Sequence, residues 1–299
     1  MSIASAKITI NGTDYALAYN GTSGKWEASI TAPGATSYNL ADHVYNCSVT
    51  ATNTAGTSTT VNGSTLAALK LRVKETVAPV ITITSPSTGA YVSNAQQPVA
   101  CTLVDESGGS GIDLSSLVVK LDGTAVAAAT LSTTAITNGY SVTYTPASAL
   151  ADGSHTVTAA VNDYDGNAAT GKSTTYTVDT VPPTLNVTSP APDLITNNAS
   201  LAVAGTTNDA TSTPVTIAVK LNGTDQGAVN VSSGAWSKTV TLTEGANTII
   251  VIATDAAAQT TSVSRTVTLD TTAPSIKAVT IAPNPADAGD TLTVSVTIE

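Results

Sequence analysis

Hydrophobic and polar side chains alternate along most of this chain in short runs. In residues 291–298, every second position is apolar, and threonine or serine fills the positions between them. A period of two places the apolar side chains on one face of a β-strand. Gly, Asn, Asp and Ser bound the runs, and no segment keeps the 3.6-residue period of a helix. The pattern predicts an all-β chain built from short strands.

Three sequence markers recur along the chain with a period of about 90 to 105 residues. The first is a strand followed by Asn-Gly or Asp-Gly, dipeptides that take the positive φ angles of tight hairpins; it occurs at residues 9–13, 120–124 and 220–224. The second is an aromatic residue that opens an alternating strand: Trp26, Tyr140 and Trp236. The third is a late strand ending in Asn or Asp, at residues 46–53, 156–163 and 248–255. A period of this length suits antiparallel β-sandwiches in tandem.

Proline-bearing linkers separate the repeats, because proline cannot donate to a β-ladder. They lie at residues 73–79, 178–183 and 269–274. The sequence therefore predicts tandem β-sandwiches in an elongated rod, divided into four segments. These are a first domain (residues 1–78), a second domain (79–182), a third domain (183–273) and a tail (274–299).

The loops and linkers of the second domain carry a resemblance to a known family. Residues 150–155, 162–167 and 178–183 resemble bacterial immunoglobulin-like (Ig-like) repeats, which occur in bacterial surface adhesins and bacteriophage tail proteins. The resemblance implies an Ig-like fold in each domain. It also implies a structural or adhesive role, and it points to no enzymatic activity.

The two ends of the chain are predicted to be complementary halves of one domain. Residues 3–10 match the third strand of the third domain, so the first domain lacks its first two strands. The tail supplies two strands and no third. Its apolar positions, which need cover, are Val279, Ile281, Leu292, Val294, Val296 and Ile298.

These halves suggest that the tail of one copy completes the first domain of the next copy by strand addition. A head-to-tail contact of this kind generates a closed ring or an open filament, and a rod of sandwiches favours the filament. Two alternatives stay open. The chain could complete its own first domain or close into a small ring, or the tail could be frayed.

Charge and hydropathy exclude several functions. The net charge is −10 with only 11 Lys and Arg, so no basic stripe is available for nucleic acid or anionic lipid. No apolar run is long enough to insert in a membrane, and residues 1–10 lack the features of a signal peptide. These observations favour a virion component over a secreted adhesin, with an extracellular or virion location in either case.

Catalytic and redox chemistry find little support in the sequence. His43 and His155 are the two histidines, they occupy similar places before a late strand, and both are predicted at the surface. No metal-ligand spacing, phosphate-binding loop or nucleophile motif surrounds them, so we expect no enzyme. Cys47 and Cys101 fall at inward-facing positions of different domains, which predicts buried free thiols rather than a disulfide.

Calcium is the one cofactor that the sequence suggests. The second domain carries carboxylates before a Gly/Ser-rich loop, in its late loop and at its linker, and these could hold a hard cation at a domain junction. The candidate ligands are Asp105, Glu106, Asp113, Asp163, Asp165 and Asp179. The alternative is that these residues cap turns and solubilise loops. The pattern weakens in the other domains, where Ala257 and Ala55 stand in place of Asp165.

The recurring aromatic residues also allow two interpretations. They could stack on sugars, but their recurrence at one strand position favours anchoring in the core. The leading hypothesis for function is a non-enzymatic structural protein that forms a filament with copies of itself. The alternative is an adhesion module that binds a surface glycan or protein through its inter-strand loops.

Overall fold

The computed structural model describes residues 2–299, which form β-strands and three short 3-10 helices at Ala41–His43, Ala67–Leu69 and Ala128–Thr130. The prediction of an all-β chain of Ig-like β-sandwiches is confirmed. The chain divides into two compact units, one ending at Asp179 and the other comprising Thr180–Glu299.

The first domain is built around one sheet. Its strands are β1 (Ile3–Ile10), β2 (Thr13–Asn20), β3 (Lys25–Glu27), β4 (Tyr45–Asn46), β5 (Ser48–Asn53), β6 (Ser58–Asn62) and β7 (Lys70–Leu71). The main sheet has the order β3-β2-β1-β5-β6, and β4 pairs with β7. All neighbouring strands are antiparallel.

The second domain is a sandwich of two sheets. Its strands are β8 (Val80–Ser85), β9 (Ala90–Val92), β10 (Val99–Val104), β11 (Ile112–Leu121), β12 (Thr124–Ala125), β13 (Leu131–Ile136), β14 (Gly139–Tyr144), β15 (Gly153–Asp163) and β16 (Lys172–Val178). One sheet has the order β13-β14-β10-β8 and the other β12-β11-β15-β16-β9. The sheets face each other, because Leu103 of the first packs in one buried cluster with Val161 of the second.

The third domain repeats this arrangement. Its strands are β17 (Thr184–Ser189), β18 (Leu194–Thr196), β19 (Ser200–Asn208), β20 (Thr216–Leu221), β21 (Thr224–Asp225), β22 (Val231–Ser232), β23 (Ala235–Thr241), β24 (Gly245–Thr254) and β25 (Thr260–Leu269). The four-stranded sheet is β17-β19-β23-β22 and the five-stranded sheet is β18-β25-β24-β20-β21. Val203 and Val251, from opposite sheets, are fully buried in one cluster.

The tail forms a hairpin, which we call the tail hairpin. It consists of β26 (Ile276–Ala282) and β27 (Thr293–Ile298), which pair antiparallel in a two-stranded sheet of their own. Backbone hydrogen bonds between Ser275 and Glu299 close its open end. Every residue from Thr271 to Glu299 is exposed.

The predicted hairpin turns are present at corresponding places in the three domains. The central residues Asn11, Asp122 and Asn222 all have φ near 50°, and the glycine after each also has a positive φ. These angles match a two-residue hairpin turn, in which Asn, Asp and Gly are tolerated best. The turn marker therefore predicted local structure correctly in every domain. Within residues 2–299, no helix has the length and apolar character needed to cross a membrane.

Candidate functional site

The first domain contains the counterpart of only one of the two sheets. By position in the repeat, the pair Tyr45 and Leu71 corresponds to His155 and Tyr176, so the β4–β7 ladder continues the ladder of β5. Residues 2–78, as the structure describes them, thus match the five-stranded sheet of the other domains. The strand that corresponds to β14 and β23 by its aromatic marker, β3, pairs with β2 in the main sheet, so these residues form no four-stranded sheet facing it.

Burial along the late strand shows the consequence. In the third domain, Ile249, Val251 and Ala253 are all fully buried beneath the four-stranded sheet. The equivalent residues of the first domain are Cys47, Val49 and Ala51, and only Cys47 is buried. The small core of the first domain is formed by Ile10, Tyr45 and Cys47, with partly buried neighbours around them. The half of the sheet around Val49 therefore has an apolar face with little cover.

The tail hairpin also has an uncovered apolar face. Cross-strand pairing sets Val279 beside Val296 and Ile281 beside Val294, while Ile276 lies beside Ile298. Their exposed fractions run from 47% to 66%. Leu292, which precedes β27, is 49% exposed. All six residues that the sequence assigns to polymerisation are thus exposed apolar side chains, and five of them lie on this face.

The recurring aromatic residues differ between domains. Trp236 is buried in the core of the third domain, and Tyr140 packs against the core of the second. Trp26 is only half-buried and lies against the exposed Tyr19, with 5.8 Å between ring centroids. The core-anchoring prediction therefore holds for Trp236 and Tyr140. It is wrong for Trp26, because β3 pairs with β2 and no counterpart of β10 lies beside it.

A carboxylate cluster lies where the first domain joins the second. One oxygen from each of Glu75, Asp105 and Glu106 lies within 4.8 Å of the others. Asp105 follows β10, and Glu75 lies in the linker before β8. Contact with Glu75, burial and the neighbouring Asp105 raise the pKa of Glu106 to about 7. Near neutral pH, Glu106 is therefore only partly ionised, and its carboxyl group hydrogen-bonds to that of Glu75.

The other predicted calcium ligands near this junction already have partners. Both Asp163 oxygens accept hydrogen bonds from Asn167, one from its backbone nitrogen at 2.8 Å and one from its side chain at 2.7 Å. Asp165 accepts from Thr36 Oγ1 at 2.5 Å and from the backbone nitrogen of Glu75 at 3.0 Å. These carboxylates cap loops and join the two domains.

The six predicted ligands do not share one site. Asp113 accepts from the backbone nitrogen of Ser115 at 2.9 Å and caps its own turn. Asp179 follows β16, whose last residue pairs with Gly153, the first residue of β15. Asp163 is the last residue of β15 and lies at the opposite end of that strand. Ten residues at about 3.3 Å each separate these two ends, so Asp179 lies far from Asp105 and Glu106.

Glu75 is the member of the cluster that the predicted ligand set missed. It belongs to the first linker, and its side chain accepts a hydrogen bond from the backbone nitrogen of Ser110 in the second domain. Asp179 and Asp270 occupy the corresponding positions in the next two linkers. That correspondence was the available signal. The prediction used Asp179, which lies in the linker after the second domain, whereas Glu75 lies in the linker before it.

Ring stacking and hydrogen bonds reinforce the same junction. The rings of Tyr38 and Tyr164 stack with centroids 4.7 Å apart, and His43 also stacks on Tyr38 at 4.4 Å. Asn39 donates to the Gly109 carbonyl at 2.7 Å, and Lys74 donates to the Asp165 carbonyl at 2.7 Å. The first and second domains are therefore held together by specific contacts.

Comparison with known families fits this architecture. Residues 107–180 match the family model of the bacterial Ig-like domain, and residues 183–271 match that of glucodextranase domain B. The chain is a tandem Ig-like repeat protein. Domains of this type are usually non-catalytic, and they fit a structural or binding module.

Two of the solved structures that match this chain are the following. Fibronectin(III)-like modules of Clostridium thermocellum CbhA are 19% identical with a TM-score of 0.42, covering 64% of this chain and 94% of that one. A tetra-tandem repeat from the extending region of a large adhesion protein is 18% identical with a TM-score of 0.32, covering 98% of this chain and 79% of that one. No curated protein sequence matches the chain.

One histidine of this Ig-like repeat protein departs from its predicted exposure. His155 is buried, and its ring nitrogens lie 2.7 Å from Asp122 Oδ2 and 2.8 Å from the Ala151 carbonyl. Burial alone would lower the pKa of His155, but the hydrogen bonds to Ala151 and Asp122 raise it. The prediction of a surface histidine is wrong here, because the partner carboxylate comes from a distant turn. His43 is exposed.

The cysteines behave as predicted. Cys47 and Cys101 are both buried and free. Burial raises the pKa of both thiols, which keeps them protonated and unreactive. They serve as small apolar side chains in two different cores.

Proposed function

We propose that this tandem Ig-like repeat protein is a non-enzymatic structural protein whose copies assemble head to tail by strand complementation. The tail hairpin of one copy supplies strands that complete the first domain of the next. One observation carries the proposal: Val49 is only partly buried where its third-domain equivalent, Val251, is fully buried. The main sheet of the first domain has no second sheet packed on its apolar face. The tail hairpin has an apolar face that no sheet covers.

The tail hairpin has the side-chain pairing that the missing strands require. In the second domain, β8 sets Ile81 beside Leu103 and Ile83 beside Cys101, and these residues cover the core. The tail hairpin presents two consecutive apolar pairs of the same kind, between Val279 and Val296 and between Ile281 and Val294. The hairpin is therefore a structural counterpart of β8 and β10.

The register of the complete domains suggests how the two halves meet. There β10 pairs with β14, which places Leu103 beside Tyr140, and β19 pairs with β23, which places Gly205 beside Trp236. By the same register, β27 of one copy lies along the segment of the next copy that contains Trp26. This arrangement requires Lys25–Glu27 to leave β2 and to join the tail hairpin in a second sheet, which buries Trp26.

Burial supplies the driving force. Covering an exposed valine or isoleucine contributes roughly 1.5–3 kcal/mol, before the costs of association are subtracted. The contact is heterologous, so repeated association gives a filament or a closed ring, and the proposal selects the filament. We place this assembly outside the cell or in a virion, where the partner is a second copy of the chain. In the alternative adhesion role, the inter-strand loops bind a surface glycan or protein.

Light scattering of the full chain tests the assembly. The wild-type protein should grow in mass with concentration, and Val294→Lys with Val296→Lys should abolish that growth because charge on the apolar face opposes burial. Ser295→Lys with Thr297→Lys is the matched control, since these alternate residues place the same charge on the opposite face. A wild-type protein that stays monomeric at every concentration contradicts the proposal and favours the adhesion module.

A mixing experiment separates association between copies from self-completion. A chain with the two lysines in β27 keeps a working acceptor, and a chain with Val49→Lys keeps a working tail hairpin. Each variant alone should be monomeric, and their mixture should form a one-to-one dimer that grows no further. A mixture that remains monomeric argues against complementation between copies.

Trp26 fluorescence reports the predicted register. Trp26 and Trp236 are the two tryptophans of the chain, so Trp236→Phe leaves Trp26 as the single probe. Its emission should shift to shorter wavelength on assembly, because a half-exposed ring becomes buried. Assembly without a shift would place the tail hairpin elsewhere on the partner copy.

A further inference from the structure

We propose that a small cavity beside Arg72, Lys74 and His43 binds the carboxylate group of an acidic sugar. The cavity has a volume of about 140 Å³, and Tyr38 and Tyr164 also line it. Sites that take drug-sized ligands start at about 300 Å³, so this cavity suits one charged group or one sugar unit. The inference goes beyond the proposed assembly and does not depend on it.

Two positive charges without an ion-pair partner line this cavity, although the whole chain has a net charge of −10. Within residues 2–299, neither Arg72 nor Lys74 forms an ion pair with a carboxylate. The Lys74 amino group donates to the backbone carbonyl of Asp165 at 2.7 Å, a bond that leaves its charge in place. The Arg72 guanidinium donates no hydrogen bond to any residue that the structure describes. Both groups are therefore available to an anion.

Asp165 also lines the cavity, but other groups already hold its carboxylate. Its Oδ2 accepts from Thr36 Oγ1 at 2.5 Å and from the backbone nitrogen of Glu75 at 3.0 Å. Arg72 and Lys74 carry two positive charges against this single negative charge, so the lining is net positive even without a charge on His43. A carboxylate neutralises that excess. A phosphate dianion would exceed it and would be repelled by Asp165.

The fold itself does not require an arginine at position 72. By position in the repeat, Arg72 corresponds to Thr177 of the second domain, because Leu71 and Tyr176 pair with equivalent residues of the late strand. Thr268 is the counterpart in the third domain. A threonine completes the sheet at this position in both complete domains. Strand pairing therefore does not account for the long charged side chain of Arg72.

The wall of the cavity is fixed by contacts within the protein. Ser37 is only 3% exposed, and its hydroxyl lies 2.9 Å from the His43 carbonyl and 3.1 Å from the Val73 carbonyl. The same oxygen accepts from the Val73 backbone nitrogen at 3.0 Å. Tyr38 stacks on both His43 and Tyr164, with ring centroids 4.4 and 4.7 Å apart. A wall that is ordered in advance lowers the entropy cost of binding a ligand.

The donors around the cavity match a sugar acid. The planar guanidinium of Arg72 can pair two parallel N–H groups with the two oxygens of a carboxylate. Lys74 keeps two further N–H donors after its bond to Asp165. Tyr38 and Tyr164 carry hydroxyl groups that can exchange hydrogen bonds with sugar hydroxyls, which an acidic peptide side chain lacks. These groups favour an acidic sugar over an acidic peptide.

Calorimetric titration of the full chain with sodium glucuronate tests the site. Glucose is the neutral sugar control, and acetate is a carboxylate without a sugar ring. Glucuronate should bind at least about tenfold more tightly than either, because only glucuronate has both the charge and the hydroxyl groups. Equal binding of glucose overturns the role of the charge, and equal binding of acetate overturns the assignment to a sugar. An absence of glucuronate binding overturns the site.

Arg72→Gln makes the test specific to the cavity. It should weaken glucuronate binding by about tenfold or more, because the charge-assisted hydrogen bonds are lost. Its melting temperature should stay within about 2 °C of wild type, since Arg72 is exposed. Lys120→Gln is the matched control; it removes the same charge from an exposed position outside the cavity and should keep full binding. Unchanged binding in Arg72→Gln, or equal weakening in both variants, overturns the proposal.

Discussion

The first and third domains share a repeat pattern, but only the third has a second sheet that covers its late strand. Val49 and Val251 are the same residue type at the same position of the late strand, yet Val49 is only partly buried and Val251 is fully buried. Both strands alternate correctly, and both domains contain the same Asn-Gly hairpin turn. The difference arises in the opposing sheet, which the third domain has and the first lacks. Alternation therefore specifies a strand and its inner face, whereas burial requires a second sheet.

The largest expected contrast involves the two tryptophans. Trp236→Ala should destabilise the third domain by roughly 3–5 kcal/mol, because it removes a large buried ring from a closed core. Trp26→Ala should cost far less in the unassembled chain, where the ring is half-exposed. Hydrogen exchange of β24 and β5 peptides by mass spectrometry measures each domain separately. Equal losses of protection in the two domains would contradict the comparison.

Truncation of the paired valines gives a smaller contrast with a closer control. Val251→Ala removes two buried methyl groups and should cost roughly 1.5–3 kcal/mol. Val49→Ala should cost less than about 1 kcal/mol when the chain is monomeric. Denaturant unfolding, followed by Trp236 in a Trp26→Phe background and by Trp26 in a Trp236→Phe background, reports the two domains in turn. If assembly covers Val49, its cost should rise toward that of Val251 in the assembled protein.

The hairpin turns should respond alike in complete and incomplete domains. A Cβ at Gly12 or Gly123 would meet no atom within 4 Å, so alanine there would strain only the positive φ. Each substitution should cost about 1–2 kcal/mol, measured by the same unfolding experiments. A much smaller cost at Gly12 than at Gly123 would show that even local structure depends on the missing sheet.

The smallest effect is the pH dependence of the Asp122–His155 pair. The folded state raises the pKa of His155, so its contribution is present below about pH 6.5 and is lost as pH rises through the higher folded value. Burial alone would raise the pKa of Asp122, but the hydrogen bond with His155 lowers it overall. The contribution of Asp122 to stability is therefore lost only when acid protonates its carboxylate. The pair should stabilise the second domain between about pH 4 and 6.5, by less than about 1 kcal/mol because Asp122 is half-exposed.

The third domain suggests the control for this pair. There Asn222 and Asn247 occupy the corresponding positions and hydrogen-bond at 3.1 Å without a titratable group. The double substitution Asp122→Asn with His155→Asn should flatten the difference in melting temperature between pH 5.5 and 8. A pH profile that the double substitution leaves unchanged would assign the dependence to other groups.

The strands, the turns and the tandem order of the domains can be predicted from the amino-acid sequence alone. Those features follow from side-chain periodicity and from the φ angles that Asn-Gly and Asp-Gly tolerate, and both act over a few residues. For the same reason, the exposed face of β27 could be predicted from Leu292, Val294, Val296 and Ile298. The inward positions of Cys47 and Cys101 were likewise visible in the alternation.

Which groups meet across long stretches of chain depends on how the sheets and loops pack in the tertiary structure. It brought Glu75 to Asp105 and Glu106, engaged Asp163 and Asp165 in loop contacts, and set Asp179 at the far end of the sheet. It also buried His155 against Asp122 and left Trp26 without a core. Periodicity fixes the face on which a side chain lies, but the partner of that face comes from distant segments whose approach depends on sheet packing.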